Sequence, residues 1–501
     1  MDFTPRQLDA VDVAQARQDT CIVAGPGSGK TSVLVEFYRR LVLEAEVPPE
    51  RILAITFTEK AACNMKEKLA KLFQKMPERR RQLEQAHVST IHGFCARLLR
   101  ENAIAAGIDP EFSVLDARQS ILMQRQAAND ALDQMFAAEP ELMRRLISGL
   151  KSPDVASYLP GVYDGMRAAG VEAADLPAFH VPAGDDFDAL KNAVRRLTLE
   201  STLGWNESQK ERLHEVLAAV LRVTELAGAP LSTENFRAID EFPTSLKGLK
   251  TKTVIHGLLM SIKDQILPDL YRRFLTAYYS RERELLIRII QRFSRLYDER
   301  KRRLGALDYA DLETFAVRLL QEDRGVRERV QAAFLHVLMD EFQDTNGQEA
   351  KLVALLRAPD CFYAVGDINQ SIFGFRHADP EVFRAYRDYV ETSGKHLVEL
   401  EENWRSRPEI LSAVETISHY AAGIEHRPLV GKRQFPEKLQ PSVEVLSAIA
   451  DTQETALDLE ARWVAQRILD FAGSLPLASG PAGFGDTAVL VRNSEVLAAF
   501  T

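Results

Sequence analysis

Cysteine is scarce in this sequence: there are four among 501 residues, Cys21, Cys63, Cys95 and Cys361, and no two form a CxxC pair. That spacing excludes the usual zinc and iron–sulfur frameworks and points to reduced, mostly buried thiols. Long apolar runs are missing as well. None approaches the roughly 18 consecutive apolar residues that span a bilayer, and the opening MDFTPRQ has neither the basic nor the apolar region of a signal peptide. A cytoplasmic protein with no membrane partner is expected. Nor is there a global basic field. With 63 Lys and Arg against 72 Asp and Glu the net charge is −9, so contact with nucleic acid must come from local patches.

What is present is a composition of 46% apolar and 27% charged residues, that of a globular protein, in a chain long enough for about three domains. Short apolar runs alternate with helical stretches early (CIVA, RILAITF, HVSTI) and again late (FLHVLMDE, CFYAVGD, HLVEL, VEVLSA, DTAVLVR). Such alternation predicts an α/β fold with a parallel sheet and crossover helices. Between the halves, from about Asn102 to Leu304, strand signals vanish. The reading is a large helical insertion into an α/β core, with a Pro/Gly/Ala/Asp-rich loop from Ala169 to Asp188.

The stretch AGPGSGKTS, Ala24, Gly25, Pro26, Gly27, Ser28, Gly29, Lys30, Thr31 and Ser32, lies between an apolar strand and a helix. There, backbone N–H groups and a helix N-terminus can surround phosphates, Lys30 can reach the β and γ oxygens, and the Thr31 hydroxyl can bind Mg2+. The pattern GxxxxGK[ST] wants glycine where this chain has Ala24. Far along the chain HVLMDEFQDTN places two adjacent carboxylates at a strand end. Asp340 suits magnesium, and Glu341 suits the polarisation of an attacking water. The pair with the phosphate loop indicates hydrolysis of ATP.

Eight motifs then occur in order: FTPRQ (Phe3 to Gln7), AGPGSGKT, TFTEKAACNM (Thr56 to Met65), STIHGFCARLL (Ser89 to Leu99), LDYADL (Leu307 to Leu312), DEFQDTN, VGDINQSIFGFRHADP (Val365 to Pro380) and ENWRSRPEIL (Glu402 to Leu411). The set resembles the UvrD/Rep family of superfamily 1A DNA helicases, with TFTE, STIHGFC, FRHADP and NWRS nearer the RecB and AddA branch. The resemblance implies a RecA-like P-loop core at 1–103 plus 304–395, a helical accessory insertion at 104–303, and an incomplete second RecA-like core at 396–501. It implies that Gln7 reads adenine, that Trp404 stacks on the base, and that Gln370 and Arg405 sense the γ-phosphate. For single-stranded DNA it implies Thr56, Phe57, Thr58, Phe373, Phe375 and Arg376, the last two aromatics replacing a tyrosine and a tryptophan. His92 could touch DNA or cap the helix that follows it.

A basic helix from Arg281 to Arg303 has nine Lys or Arg against four acids, with Leu286, Ile290, Phe293 and Tyr297 at helical spacing. One packed and one positive face, turned toward a phosphate backbone, are expected. The family's later motifs, TxHxxKGLEF and VAxTRA with its arginine finger, do not occur in these residues. The expected function is therefore that of an ATP-dependent 3′ to 5′ helicase acting on single-stranded DNA or a 3′-tailed duplex in repair or recombination, motor-deficient as this chain alone. The alternative is an ATP-responsive DNA-binding component of a helicase–nuclease complex or other repair partner.

Overall fold

The computed structural model describes residues 3–15, 17–150, 154–177, 187–227, 232–243, 245–435, 441–477, 480–491 and 493–500. The chain divides into two compact units, the smaller made of Met1–Gln7, Val23–Val33 and Glu399–Thr501, the larger of Leu8–Ile22 and Leu34–Val398.

Six apolar runs form one sheet: β1 (Thr20–Ala24), β2 (Ile52–Thr56), β3 (His87–Thr90), β4 (His336–Met339), β5 (Phe362–Gly366) and β6 (His396–Leu400). Every residue of β1, β2, β4 and β5 is buried, as continuous apolar runs must be when helices cover both faces of a sheet. The strand order is β3-β2-β4-β5-β1-β6. Register pairs Thr56 with Thr90, Ile55 with Met339 and Met339 with Ala364, all parallel. The segments that leave β2, β3, β4 and β5 therefore emerge from one end of the sheet, which is where α/β folds place their chemistry. β6 takes HLVEL into this sheet as its edge strand, although sequence grouping puts it at the head of a second core.

The helices that matter are α1 (Lys30–Leu43), α2 (Glu59–Leu72), α3 (Ile91–Glu101), α4 (Ala117–Ala138), α5 (Pro140–Leu150), α6 (Val155–Ala168), α7 (Ser280–Arg303), α8 (Tyr309–Glu322) and α9 (Gly347–Leu356). Side-chain caps start several of them. Thr58 accepts from Ala61 N, Thr90 from Gly93 N, and Asp308 and Asn346 open α8 and α9 with reciprocal capping boxes.

The insertion has two apolar cores. In one, Ala127, Ala128 and Ala131 of α4 let Leu285, Ile289, Phe293 and Tyr297 of α7 approach closely, with Leu159 and Tyr163 of α6 completing the packing. The other gathers Leu190, Val216, Val220, Val223, Leu259, Ile262 and Phe274. The buried face of α7 includes Leu285 and Ile289, with Leu286 only partly covered, so the packed stripe is rotated from the one read in sequence. Its positive face is also partly spent inside the fold: Arg288 pairs with Glu139, Arg300 with Asp130, and Lys301 is buried.

Lys301 and Arg167 of α6 meet Asp308 and Asp311 at the start of α8. Arg167 donates to Asp308 at 2.9 Å and to Asp311 at 2.6 Å, Lys301 to Asp311 at 2.6 Å, and the Tyr297 hydroxyl to Asp308 at 2.8 Å. Two cations balance two carboxylates away from water, as buried charges require. The motif LDYADL is thus the joint between insertion and sheet.

In the smaller unit Glu402–Asn403 pairs in parallel with Val430–Gly431, and Pro476–Leu477 pairs antiparallel with Gly480–Pro481. The expected strands VEVLSA and DTAVLVR do not form among the described residues; Arg492 of the second, and residues 178–186 of the loop expected near Ala169, lie outside them. A short apolar run becomes a strand only when another strand satisfies its backbone, and no such partner lies alongside either run among the described residues. No helix among the described residues is long and apolar enough to cross a membrane.

Candidate functional site

Within the smaller unit the phosphate loop is held by backbone geometry that only glycine provides. Gly27 and Gly29 have φ of +71° and +88°, and a Cβ on Gly27 would lie 2.7 Å from Arg405 Cβ and 2.9 Å from Asn403 Nδ2. Ala24, by contrast, is the last residue of β1 and fully buried, so the alanine that departs from the loop pattern has ordinary strand geometry. Lys30 and Thr31 open α1, with Pro26 and Ser28 in the turn before it; the Ser28 hydroxyl donates to Gly25 O at 2.7 Å.

The segment ENWRS grips this loop. Asn403, 1% exposed, donates from Nδ2 to Pro26 O, while its Oδ1 accepts from Arg405 N at 2.9 Å and Ser406 N at 2.8 Å. Trp404 N donates to Gly27 O at 2.9 Å, which leaves the indole half-exposed beside the loop. Gln7 closes the other side: Nε2 donates to Ser28 O at 2.9 Å and Oε1 accepts from Thr4 N at 3.1 Å. An amide has two N–H groups and two lone pairs, so this bonding keeps capacity for a purine edge. Sequence reasoning missed Asn403, the residue that ties together the two segments it had chosen.

In the larger unit the strand β4 ends and the chain turns sharply. Asp340 is buried, its N–H donating to Ile55 O at 3.0 Å, and Glu341 sits at φ +52°. That left-handed residue is unusual outside glycine. Gln343, also missed in the sequence, links Glu341 onward. Its Nε2 donates to Glu341 Oε2 at 2.9 Å, its Oε1 accepts from Asp367 N at 3.0 Å, and Asp367 Oδ2 accepts from Gln370 Nε2 at 2.6 Å.

Three residues beyond Gln370 begins an aromatic platform. The Phe57 and Phe373 rings lie 4.5 Å apart, Phe373 and Phe375 5.6 Å, and the Arg376 guanidinium sits 5.3–5.9 Å from all three rings. Phe375 is 76% exposed and Ile372 72%, large apolar groups held in water at the end of the sheet. A cation over ring faces beside an exposed π-surface suits a stacked base and its phosphate.

The remaining strand candidates are placed differently. Thr56 is 2% exposed with its hydroxyl donating to Thr58 O, and Thr58 caps α2, so both hydroxyls serve local structure. His92 does not cap α3, because Thr90 does. It pairs instead with Glu313 at 2.8 Å, its ring 4.8 Å from that of Tyr309.

The family model for the UvrD/REP helicase N-terminal domain matches residues 3–390. Among curated proteins, the chain is 26% identical to an ATP-dependent helicase/nuclease subunit from Staphylococcus carnosus, over 90% of this chain and 43% of that protein. It is 27% identical to the protein of the same name from Anoxybacillus flavithermus (90% and 44%) and 28% to that from Moorella thermoacetica (89% and 37%). The chain thus spans less than half the length of the curated relatives it matches.

Proposed function

Since the chain belongs to the UvrD/REP helicase family, we propose that it binds and hydrolyses ATP to move a helicase 3′ to 5′ along single-stranded DNA, in repair or recombination and beside a nuclease partner. The family membership and the relatives' helicase/nuclease names support this reading. In it, residues 1–103 with 304–395, joined by the edge strand β6, form a RecA-like core, 104–303 an accessory insertion and the rest of 396–501 part of a second core, in the cytoplasm. Lys30 and the loop amides of Gly27 and Gly29 hold the phosphates, while Gly25, whose N–H donates to Leu400 O at 3.3 Å, shapes the turn; Gln7 and Trp404 hold the adenine. Arg405 faces the γ-phosphate as a fixed guanidinium fork.

Thr31 offers a hydroxyl and Asp340 a carboxylate, each a hard oxygen donor of the kind magnesium prefers. When bound it neutralises phosphate charge. Glu341 accepts a proton from the attacking water, with Gln343 fixing its carboxylate.

One observation carries the reading furthest: a single segment, 367–376, holds Gln370 in the network that reaches Glu341 and also presents Phe373, Phe375 and Arg376. Nucleotide state and strand contact are then two ends of one short piece of chain. The test is ATP turnover with and without single-stranded DNA. Lys30→Ala is expected to abolish turnover, and Phe375→Ala to remove its stimulation by DNA. Turnover that ignores both DNA and Lys30→Ala would overturn the proposal.

A further inference from the structure

His92, Glu313 and Glu349 come from three different helices, α3, α8 and α9, and each offers a donor atom within 4.8 Å of the other two. None of the three is used by the ATP or strand chemistry above. Glu313 and Glu349 are each 5% exposed, so two carboxyl groups are buried side by side. Where the fold does this elsewhere, at Asp308 and Asp311, it supplies two cations, Arg167 and Lys301. Here His92, with Nε2 2.8 Å from Glu313 Oε1, is the single basic partner among the described residues. One histidine matches at most one carboxylate charge, and buried charges need balance.

The set also has unused donors and a way in. Glu349 Oε2 accepts from Asn346 N at 3.0 Å, but Glu349 Oε1 and Glu313 Oε2 have no hydrogen-bond partner among the described residues. That backbone bond orients the Glu349 carboxylate, and the Tyr309 ring, 4.8 Å from that of His92, limits rotation of the imidazole. The His92 side chain is 31% exposed, which opens the set to solvent. An ion about 2.0–2.2 Å from three such donors asks for donor spacings of about 3.4 Å. The 2.8 Å pair and the 4.8 Å limit bracket that value.

We propose that His92, Glu313 and Glu349 are the protein ligands of a divalent transition ion of the Zn2+ class, with water as the fourth ligand on the His92 side. A nitrogen donor among two carboxylates suits Zn2+, whereas Mg2+ favours oxygen ligands alone. A dication with two carboxylates and a neutral imidazole leaves no net charge, the balance that Arg167 and Lys301 give their own pair. The ion is a structural pin. The helix α8 packs against both α3 and α9, and the three begin directly after STI, LDYADL's first residues and DEFQDTN. One ion therefore fastens three segments that carry motifs, and its ligand His92 is turned inward for that reason.

The experiment strips the 501-residue chain with EDTA, returns it to excess Mg2+ and titrates Zn2+ against a chromophoric chelator, with Co2+ added in parallel for its visible spectrum. One equivalent of Zn2+ is expected to bind, and Co2+ is expected to show nitrogen and oxygen ligation without a sulfur charge-transfer band. His92→Gln and Glu349→Gln, the second keeping an oxygen for Asn346 N, are each expected to weaken Zn2+ binding about 100-fold or more, beyond the loss of an outer partner. Zn2+ is expected to raise the melting temperature of wild type and of neither variant. Cys63→Ser, which removes the exposed thiol, is expected to bind as wild type does. No stoichiometric uptake by wild type, wild-type affinity in either ligand variant, or loss of binding in Cys63→Ser overturns the proposal. A sulfur band in the wild-type Co2+ spectrum also overturns it, whatever the variants do.

Discussion

Replacing Gly27 by alanine tests the phosphate loop at its tightest point. The residue is at φ +71°, a conformation that costs an L-amino acid roughly 1–2 kcal/mol. The added methyl would also lie 2.7 Å from Arg405 Cβ and 2.9 Å from Asn403 Nδ2, about 1 Å inside normal contact. Arg405 Cβ is the root of its side chain, so relief requires movement of the backbone whose Trp404 N–H donates to Gly27 O. Overpacking of that kind costs about 1–3 kcal/mol. The total of about 2–5 kcal/mol corresponds to a loss of roughly 30- to 5000-fold in ATP affinity if the loop must adopt this shape to bind.

Titration calorimetry with ATP and magnesium reads that loss, and a thermal melt reads any share of it that falls on stability. Gly29→Ala is the internal comparison. Its φ is +88°, but the nearest atom to its Cβ is Gln7 Nε2 at 3.2 Å, the far end of a side chain that can move. Backbone strain alone remains, about 1–2 kcal/mol or roughly 5- to 30-fold. The reasoning is refuted if Gly27→Ala matches wild type in both affinity and melting, or if Gly29→Ala is the more damaging of the two.

Two stability measurements probe the rest of the larger unit. Arg167→Leu leaves Asp308 and Asp311 buried with Lys301 alone, a loss of about 3–5 kcal/mol that appears as a fall in melting temperature on the order of 5 °C; adding Asp311→Asn restores charge balance and is expected to recover part of it. No recovery in the double variant would count against an electrostatic origin. Burial, with the Arg17 charge, pushes His336 in β4 down to about 4 from 6.5, so it favours the folded state above pH 6.5 and that contribution is lost as pH falls toward 4. The span is worth about 3 kcal/mol, and His336→Gln is expected to flatten the melting temperature over that window relative to wild type.

The residues legible in the sequence were those whose role is local. A phosphate loop, a DE pair at a strand end and FGFR are each contiguous, and the structure presents each as one turn or loop. Asn403 was not legible because its meaning lies in a bond to Pro26 across 377 positions, and Arg167 likewise in bonds to Asp308 and Asp311 across 141 and 144. The caps show the same limit at short range. Thr90 and His92 stand two residues apart in STIHGF, and only the reach of the side-chain oxygen decides that threonine starts the helix while histidine turns to Glu313. Among the described residues VEVLSA and DTAVLVR form no strand, because an apolar run states what is to be buried and not what it will pair with.

A coupled motor needs an element with two arrangements that both ligands bias. The segment 367–376 has the required construction. The turns Ile368–Gln370 and Gly374–Arg376 are stiff 3₁₀ pieces joined by Ser371, Ile372 and Phe373, so a displacement of Gln370 has little slack to absorb it before Phe373 moves. One end is tied to Glu341 through Asp367 and Gln343; the other rests its rings and guanidinium on Phe57, which leaves β2 on a separate loop. Breaking the tie without touching either ligand therefore separates coupling from binding. Gln343→Leu removes its hydrogen bonds to Glu341, Asp344 and Asp367, and if the segment is the coupling element, ATP and single-stranded DNA each still bind while DNA ceases to stimulate turnover. Stimulation at the wild-type level would place the coupling elsewhere in the fold.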